Sequence, residues 1–150
     1  MIKNTLISLF LLVFLSTNSY SAGTSSSSDS NSSDYSKAVK FVKAAKKLNM
    51  RIACEIFADR NYEDDGNLVS RKKSNALITD PLEAQKHVLN MVKNQSLNCH
   101  SGKQIPCEID SVCIHGDNES SLATAKSIKN NLIENGLTLK PLTQMEKFIK

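Results

Sequence analysis

Residues 111–118 are SVCIHGDN, and this stretch decides the fold class. Its apolar run, Val112-Cys113-Ile114, predicts a short buried strand, and a polar turn at residues 115–117 follows it at once. Asp117 or Asn118 would then cap a helix that continues to about residue 135. A strand that leads directly into a helix is the unit of α/β proteins, which carry their chemistry at the carboxyl ends of parallel strands.

Working outward, the other predicted elements follow the same alternation. Asp80-Pro81 is a strong helix start, because an N-cap aspartate precedes a proline at the first helical position. Gly136 ends the helix before it in a left-handed conformation. The remaining elements are a helix from Asp34 or Ser36 to about Asn49, a strand at 50–57, a polar loop at 58–79, strands at 96–100 and 104–109 around a turn at 101–103, a strand at 137–139 and a terminal helical turn. The sequence therefore predicts an α/β fold with a largely parallel sheet.

The first 35 residues are predicted to stand apart from this fold. Residues 1–21 resemble an export signal, with Lys3 before the apolar run Leu6–Leu15 and small residues that allow cleavage before Ala22. The apolar run is about ten residues long, half of what a stable membrane span needs. The Ser-rich segment 22–35 is typical of a disordered linker. The folded domain is then expected at 36–150, in a secreted or periplasmic protein.

Charge excludes one broad class of partner. The formal net charge is +4, and acidic and basic residues alternate along the chain instead of forming blocks. Nucleic-acid binding needs a basic stripe or patch, usually with aromatic side chains among the basic ones. The sequence shows no such pattern, so we expect no nucleic-acid partner.

The end of the first predicted strand carries one candidate site. Glu55 lies inside the strand, and Asp59 and Arg60 lie at its carboxyl end. Arg60 and Arg71 could hold a carboxylate or phosphate through paired hydrogen bonds, with Asp59 as a base or ligand. The alternative is structural: Asp59 and Arg60 could pair with each other or bond neighbouring backbone.

The second candidate site follows the strand at 111–114. His115 could be a general base or a metal ligand. Gly116 would let a ligand approach the backbone, and the helix after Asp117 would present free N–H groups to an anion. The alternative is a helix cap at Asp117 beside a buried, hydrogen-bonded His115.

The four cysteines give little support for a metal centre. Cys54 and Cys113 lie in apolar strands, where small buried thiols are common. Cys99 and Cys107 lack the paired spacing of a zinc site. If the chain is exported, a disulfide between Cys99 and Cys107 across a hairpin is the one that we consider.

Five blocks of sequence, in order and with similar spacing, resemble the LamB/YcsF family. They are ACEIFADRNYEDDGNLVSR, NALITDP, SGKQIP, SVCIHGDN and NGLTLKPL, and the similarity runs from about Tyr35 to about Leu142. The family includes the A subunit of bacterial 5-oxoprolinase. The resemblance implies a partial (β/α) barrel similar to the polysaccharide-deacetylase fold. It also implies ATP-dependent opening of 5-oxoproline to L-glutamate, with ATP as cofactor and subunits B and C as partners.

The resemblance assigns roles to single residues. The family's E-FADR-Y block falls on Glu55, Phe57, Ala58, Asp59, Arg60 and Tyr62. Its later blocks fall on Arg71 with residues 76–78, and on His115, Gly116 and Asp117. By this carry-over the catalytic candidates are Asp59, His115 and Asp117. The substrate-binding or phosphate-binding candidates are Glu55, Arg60, Tyr62 and Arg71. The resemblance does not decide whether a metal is bound.

The chain also departs from the family. The family's DLN-D-GE, HAGDP and PHGALY motifs have no counterpart here, and a signal-like segment and a serine tract stand in their place. We therefore expect a truncated component that is inactive alone and needs a chain supplying the missing half. The alternative is a secreted, non-catalytic module that retains the half-fold. Family members are usually cytoplasmic, which makes the cytoplasm the alternative location.

Overall fold

The computed structural model describes residues 6–12, 33–116 and 119–149 of the 150-residue chain. Within these residues three α-helices alternate with strands in two sheets, and two short 3-10 turns follow. The helices are α1 (Ser33–Lys47), α2 (Pro81–Asn94) and α3 (Ser121–Glu134), and the strands are β1 (Leu6–Leu12), β2 (Glu55–Phe57), β3 (Ser96–Asn98), β4 (Gln104–Pro106), β5 (Ser111–His115) and β6 (Thr138–Leu139). The 3-10 turns are Leu142–Gln144 and Glu146–Phe148.

The larger sheet has four strands in the order β2-β5-β1-β6, and each neighbouring pair is parallel. The smaller sheet is the antiparallel hairpin β3-β4, which turns at residues 101–103 as predicted. Parallel neighbours need a crossover between them, and α2 and α3 fill that role here. The predicted α/β fold with a largely parallel sheet is confirmed.

The two faces of the large sheet have different compositions. Successive side chains of a strand point to opposite faces, so even-numbered and odd-numbered residues separate. Ile56, Val112 and Ile114 are at most 2% exposed and belong to a core shared with α2 and α3. Those helices contribute Ala84, Val88, Met91, Val92, Ile128 and Leu132. The odd-numbered face is mostly polar, and its members are Glu55, Phe57 and Asp59 on one strand and Ser111, Cys113 and His115 on the other.

Capping explains where helix α2 begins and where helix α3 ends. The Asp80 carboxylate accepts hydrogen bonds from the N–H groups of Leu82 and Glu83 at 2.9 and 2.8 Å, and Pro81 takes the first helical position, as predicted. Helix α3 begins at Ser121 with Ser120 at its N-cap, a few residues later than the sequence indicates. Its end at Gly136, with φ of 80°, is confirmed.

The strand predicted at residues 50–57 is shorter than expected. Only Glu55–Phe57 forms β2. Cys54 already contacts the start of the neighbouring strand β5, since its carbonyl accepts hydrogen bonds from the N–H groups of Asp110 and Ser111. The predicted polar loop at 58–79 is tied down by isolated bridges that pair Arg60 with Leu77 and Tyr62 with Leu68. The chain after β2 therefore turns back on itself beside the strand end.

Leu6–Leu12, which the sequence assigns to an export signal, forms strand β1 between β5 and β6. Residues 13–32, which hold the predicted cleavage point and most of the predicted linker, lie outside the described residues, and α1 begins at Ser33. Cleavage before Ala22 stays a prediction. Among the described helices, none combines the length and the apolar character that crossing a bilayer requires.

Candidate active site

Two of the predicted catalytic residues meet at the carboxyl ends of β2 and β5. The Nδ1 atom of His115 lies 2.8 Å from each carboxylate oxygen of Asp59. The side chains are 19% and 13% exposed, so the pair is partly buried but reachable. The Asp59 carboxylate accepts a hydrogen bond from the Nδ1–H group. When the imidazole is neutral, Nε2 therefore carries no proton and is the acceptor atom of the ring. Among the described residues no hydrogen-bond partner contacts Nε2.

Phe57 completes the surroundings of the imidazole. Its ring stacks on that of His115 with centroids 5.5 Å apart and planes 8° from parallel. Alternation along β2 puts Phe57 and Asp59 on the same face, so one residue contacts the ring face and the other contacts its edge. Phe57 is not among the predicted site residues, although the signal for it was available, since residues two apart on a strand share a face.

Glu55 lies on the same face, nearer the start of the strands. Its carboxylate accepts a hydrogen bond from the Ser111 hydroxyl at 2.9 Å. Cys113 lies between this pair and the Asp59–His115 pair along β5 and has no exposed surface. Burial, reinforced by the charges of Glu55 and Asp59, raises the pKa of the Cys113 thiol to about 11. The thiol is therefore neutral at physiological pH, and a nucleophilic role at this face is not indicated.

Arg60 is turned inward. It is 7% exposed, and its Nε and Nη2 atoms donate to the backbone carbonyls of Ala76 and Val69 at 3.3 and 2.8 Å. Burial, followed by the charge of Arg71, lowers the pKa of its guanidinium. These contacts correspond to the structural alternative, backbone bonding, rather than to an anion clamp.

Tyr62 and Arg71 differ in their access to a ligand. Tyr62 is 5% exposed, and its phenol oxygen accepts the backbone N–H of Phe57 at 2.9 Å. Burial raises the pKa of this phenol. Arg71 is exposed and near enough to Arg60 to affect its pKa. Of the residues predicted to bind substrate or phosphate, Glu55 and Arg71 are exposed, whereas Arg60 and Tyr62 are buried.

Asp117, the third predicted catalytic residue, lies outside the described residues, as does Asn118. The backbone immediately before it is described, and strand β5 ends at His115. The predicted anion site at the start of the following helix therefore stays a prediction.

A different group of side chains has the donor types of a metal centre. One donor atom from each of Cys54, Glu108 and Asp110 lies within 4.8 Å of the other two. The Lys147 ammonium donates to Asp110 at 2.6 Å and to Glu108 at 3.1 Å, so a cation already offsets both carboxylates. These residues precede β2 and β5, at the opposite end of the strands from His115. Their contacts anchor the C-terminal 3-10 turns.

The hairpin register excludes the disulfide considered from the sequence. The four cysteines are free thiols. Cys99 lies opposite Lys103 and Cys107 lies opposite Gln95, at the two ends of the β3-β4 hairpin. Four positions along a strand correspond to about 13 Å, whereas a disulfide needs Cα atoms about 4.4–6.8 Å apart. The prediction of a bond between Cys99 and Cys107 is therefore wrong.

Comparison with known proteins identifies the family of this chain. The model of the LamB/YcsF family matches residues 34–147. The A subunit of 5-oxoprolinase from Clostridium beijerinckii is 42% identical over 103 residues, which are 69% of this chain and 40% of that protein. Its counterpart from Limosilactobacillus fermentum is 38% identical over 100 residues, 67% of this chain and 40% of the other.

A solved structure gives the same result in three dimensions. The lactam utilization protein of Thermus thermophilus superposes with a TM-score of 0.59 at 27% identity, over 67% of this chain and 40% of that one. The protein described here is thus an α/β protein with the fold of that structure over the matched segment. It belongs to the LamB/YcsF family. The chain spans 40% of the length of the curated relatives that it matches.

Proposed function

We propose that this chain is a component of an ATP-dependent 5-oxoprolinase, corresponding to part of the A subunit, that opens 5-oxo-L-proline to L-glutamate. The observation that carries the proposal is the hydrogen bond between Asp59 and His115 at a shared strand end, in a chain of this family. The relatives carry the name of the 5-oxoprolinase A subunit. Opening a cyclic amide by water is hydrolysis, and a histidine held by a carboxylate is suited to accept a proton from that water.

In this proposal His115 is the general base. Asp59 accepts the hydrogen bond from Nδ1–H, so that Nε2 takes a proton from water as the water oxygen attacks the lactam carbonyl carbon. The imidazolium that results is stabilised by the Asp59 carboxylate and gives its proton to the lactam nitrogen as the carbon–nitrogen bond breaks, which leaves the amine and the carboxylate of L-glutamate. Asp117 is proposed as a further catalytic residue, since it follows His115 by two positions.

An amide carbonyl is a poor electrophile, and bound ATP would supply a phosphoryl group that activates its oxygen and leaves as inorganic phosphate. Phosphoryl transfer depends on cations around the phosphates. Arg71 is exposed and is the proposed phosphate contact. Arg60 fits this role poorly, because two of its nitrogens already bond backbone carbonyls. Its proposed part is to hold the loop that carries Arg71. Glu55 is proposed to bind substrate. Tyr62 contacts the backbone of strand β2.

The rest of the catalytic apparatus is proposed to come from other chains. The matched segment is 40% of each relative, so the sheet described here would form one part of an incomplete (β/α) barrel of the deacetylase-like type. A chain that supplies the remaining part, together with subunits B and C, would close the cleft around 5-oxoproline. Closure matters because the activated intermediate must meet only the attacking water. Alone, this chain is proposed to be inactive.

Reconstitution tests the proposal. The full chain is mixed with ATP and 5-oxo-L-proline, first alone and then with subunits B and C and the N-terminal part of a bacterial A subunit. We expect glutamate release above blank only in the complete mixture, and its loss when His115→Gln replaces the wild-type chain. Release by the chain alone would overturn the expected dependence on other chains. No release in a mixture whose control, a full-length A subunit, is active would overturn the enzymatic proposal.

A second candidate function is a secreted, non-catalytic binding or structural module, and the signal-like residues 1–21 favour it. The mass of the mature N-terminus separates the two candidates. Cleavage before Ala22 together with oxidised cysteines would favour the secreted module. Retention of Met1 with free thiols would favour the enzyme component, and the structure has free thiols.

A further inference from the structure

Two contacts position the His115 imidazole, one at its edge and one at its face. Its Nδ1 atom lies 2.8 Å from the Asp59 oxygens, which fixes one edge of the ring. The Phe57 ring lies against its face with planes 8° from parallel. A hydrogen bond alone permits the ring to swing about the bonded edge. The stacked phenyl ring removes that freedom and thereby determines where Nε2 points.

The backbone of Phe57 is in turn held by a hydrogen bond to Tyr62. Strand β2 is at the edge of the large sheet, and its even-numbered residues bond to β5, as the Ala58 N–H does to the Cys113 carbonyl at 2.9 Å. The N–H of Phe57 therefore points away from β5. In a sheet with a further strand a carbonyl would accept it, and here the Tyr62 phenol oxygen does so at 2.9 Å.

Tyr62 is itself immobilised by its surroundings. Its ring is buried in the core and stacks on His87 of helix α2, with centroids 6.4 Å apart and planes 19° from parallel. Because the phenol pKa is raised by burial, the oxygen stays a neutral hydroxyl over the working pH range. Contacts thus run without a break from α2 through Tyr62 and Phe57 to the imidazole.

We propose that Phe57 and Tyr62 are positioning residues for His115: Phe57 fixes the plane of the imidazole, and Tyr62 fixes Phe57 by bonding its backbone N–H at the open edge of β2. The inference rests on the proposed role of His115 as a base. It reassigns Tyr62 from substrate binding to support of the catalytic histidine. Neither residue needs to touch substrate.

Nitrogen NMR of the full-length chain tests this without any substrate or partner. The chain has three histidines, so His115→Gln identifies the His115 signals. In the wild type we expect a single tautomer, with the proton on Nδ1. In Phe57→Leu the imidazole is no longer stacked and leaves Asp59 part of the time, and the detached ring also carries its proton on Nε2, so we expect a mixture of both tautomers. Phe57→Tyr, which keeps a stacking ring, should restore the single tautomer. Phe41→Leu is the matched control, because Phe41 is 74% exposed.

Tyr62→Phe tests the second contact, since it keeps the ring and removes the oxygen. The Phe57 amide should then exchange with solvent about tenfold faster, as expected for the loss of one hydrogen bond, and the His115 tautomers should shift toward the Phe57→Leu mixture. If Phe57→Leu does not fold, Phe57→Met takes its place.

A single unchanged tautomer in a folded Phe57→Leu or Phe57→Met chain would overturn the inference, whatever its stability. An unchanged Phe57 exchange rate in Tyr62→Phe would overturn the part that concerns Tyr62. These readouts are independent of glutamate release. Failure of the reconstituted enzyme would therefore leave the tautomer result intact, and a negative tautomer result would leave the proposed reaction standing.

Discussion

Asp59 and His115 are 56 positions apart in the chain, and the carboxylate of one lies 2.8 Å from the imidazole of the other. Parallel pairing brings them together, because β2 and β5 are neighbours whose register sets Phe57 opposite Cys113. Extending that register by two residues sets Asp59 opposite His115. The pair is thus a consequence of sheet topology, and its loss can be tested separately from the fold.

Replacing Asp59 by alanine should remove activity and leave the fold. The imidazole loses the acceptor that fixes its tautomer, so kcat of the reconstituted enzyme should fall by about 10²- to 10⁴-fold. The measurement is glutamate release at saturating 5-oxo-L-proline. The control is Glu134→Gln, an exposed charge at the end of α3, which should keep full activity. Full activity in the Asp59 variant would contradict the proposed mechanism.

Replacing Arg60 by lysine should cost stability rather than phosphate affinity. An ammonium cannot reproduce the two bonds that the guanidinium donates to Ala76 and Val69, so the free energy of unfolding should fall by about 2–3 kcal/mol. Urea denaturation measures this. Arg71→Lys, at an exposed site, should change the stability by less than about 0.5 kcal/mol. Equal losses in the two variants would show that the Arg60 contacts are not stabilising.

The chain should lose stability in alkali. The pKa of Cys113 is raised from 9.0 to about 11, which means that the native chain binds this proton more tightly than the unfolded chain. The stabilisation is therefore complete below pH 9 and falls as the pH rises toward 11, by at most about 1.4 kcal/mol per pH unit for one proton. Unfolding measured at several pH values should give a shallower slope for Cys113→Ala. Identical slopes would contradict the assignment.

Replacing Lys147 by methionine should release the C-terminal turns. Asp110 is buried, and without the ammonium it keeps one backbone donor, the N–H of Cys54 at 2.8 Å. We expect a loss of about 1–2 kcal/mol and faster amide exchange across residues 142–149. Urea denaturation measures the first, and hydrogen exchange with mass spectrometry measures the second. Lys40→Met, on the exposed side of α1, should leave the amide exchange of residues 142–149 unchanged. Faster exchange of these residues in both variants would show that the loss of a positive charge, and not of the Lys147 contacts, is the cause.

The elements whose signals are local could be predicted from the sequence. The Asp80 cap, the Gly136 stop and the 101–103 turn each depend on a few adjacent residues, and all three are confirmed. The position of the His115 and Asp59 side chains at one rim was also predictable, since parallel strands place their carboxyl ends together.

The remaining features depend on contacts with residues that are distant in the sequence, which local patterns do not reveal. Arg60 and Tyr62 have polar side chains at a strand end, which is typical of binding residues, yet both are turned inward by partners in the returning loop and the adjacent strand. The Phe57 stack needs the register of two strands to be known. The apolar stretch Leu6–Leu12 has the composition of an export signal and of a buried strand alike, so composition cannot choose between them.

Strand β1 makes the continuity of the large sheet depend on the first dozen residues of the chain. It lies between β5, which carries His115, and β6, and no other described strand joins those two. A peptidase acting before Ala22 would remove the inner strand and leave β5 paired on one side only, with β2. A chain cleaved at this point would then lack the complete sheet that carries His115, and a chain with the complete sheet would be uncleaved. Only another strand in the position of β1 would allow both in one polypeptide.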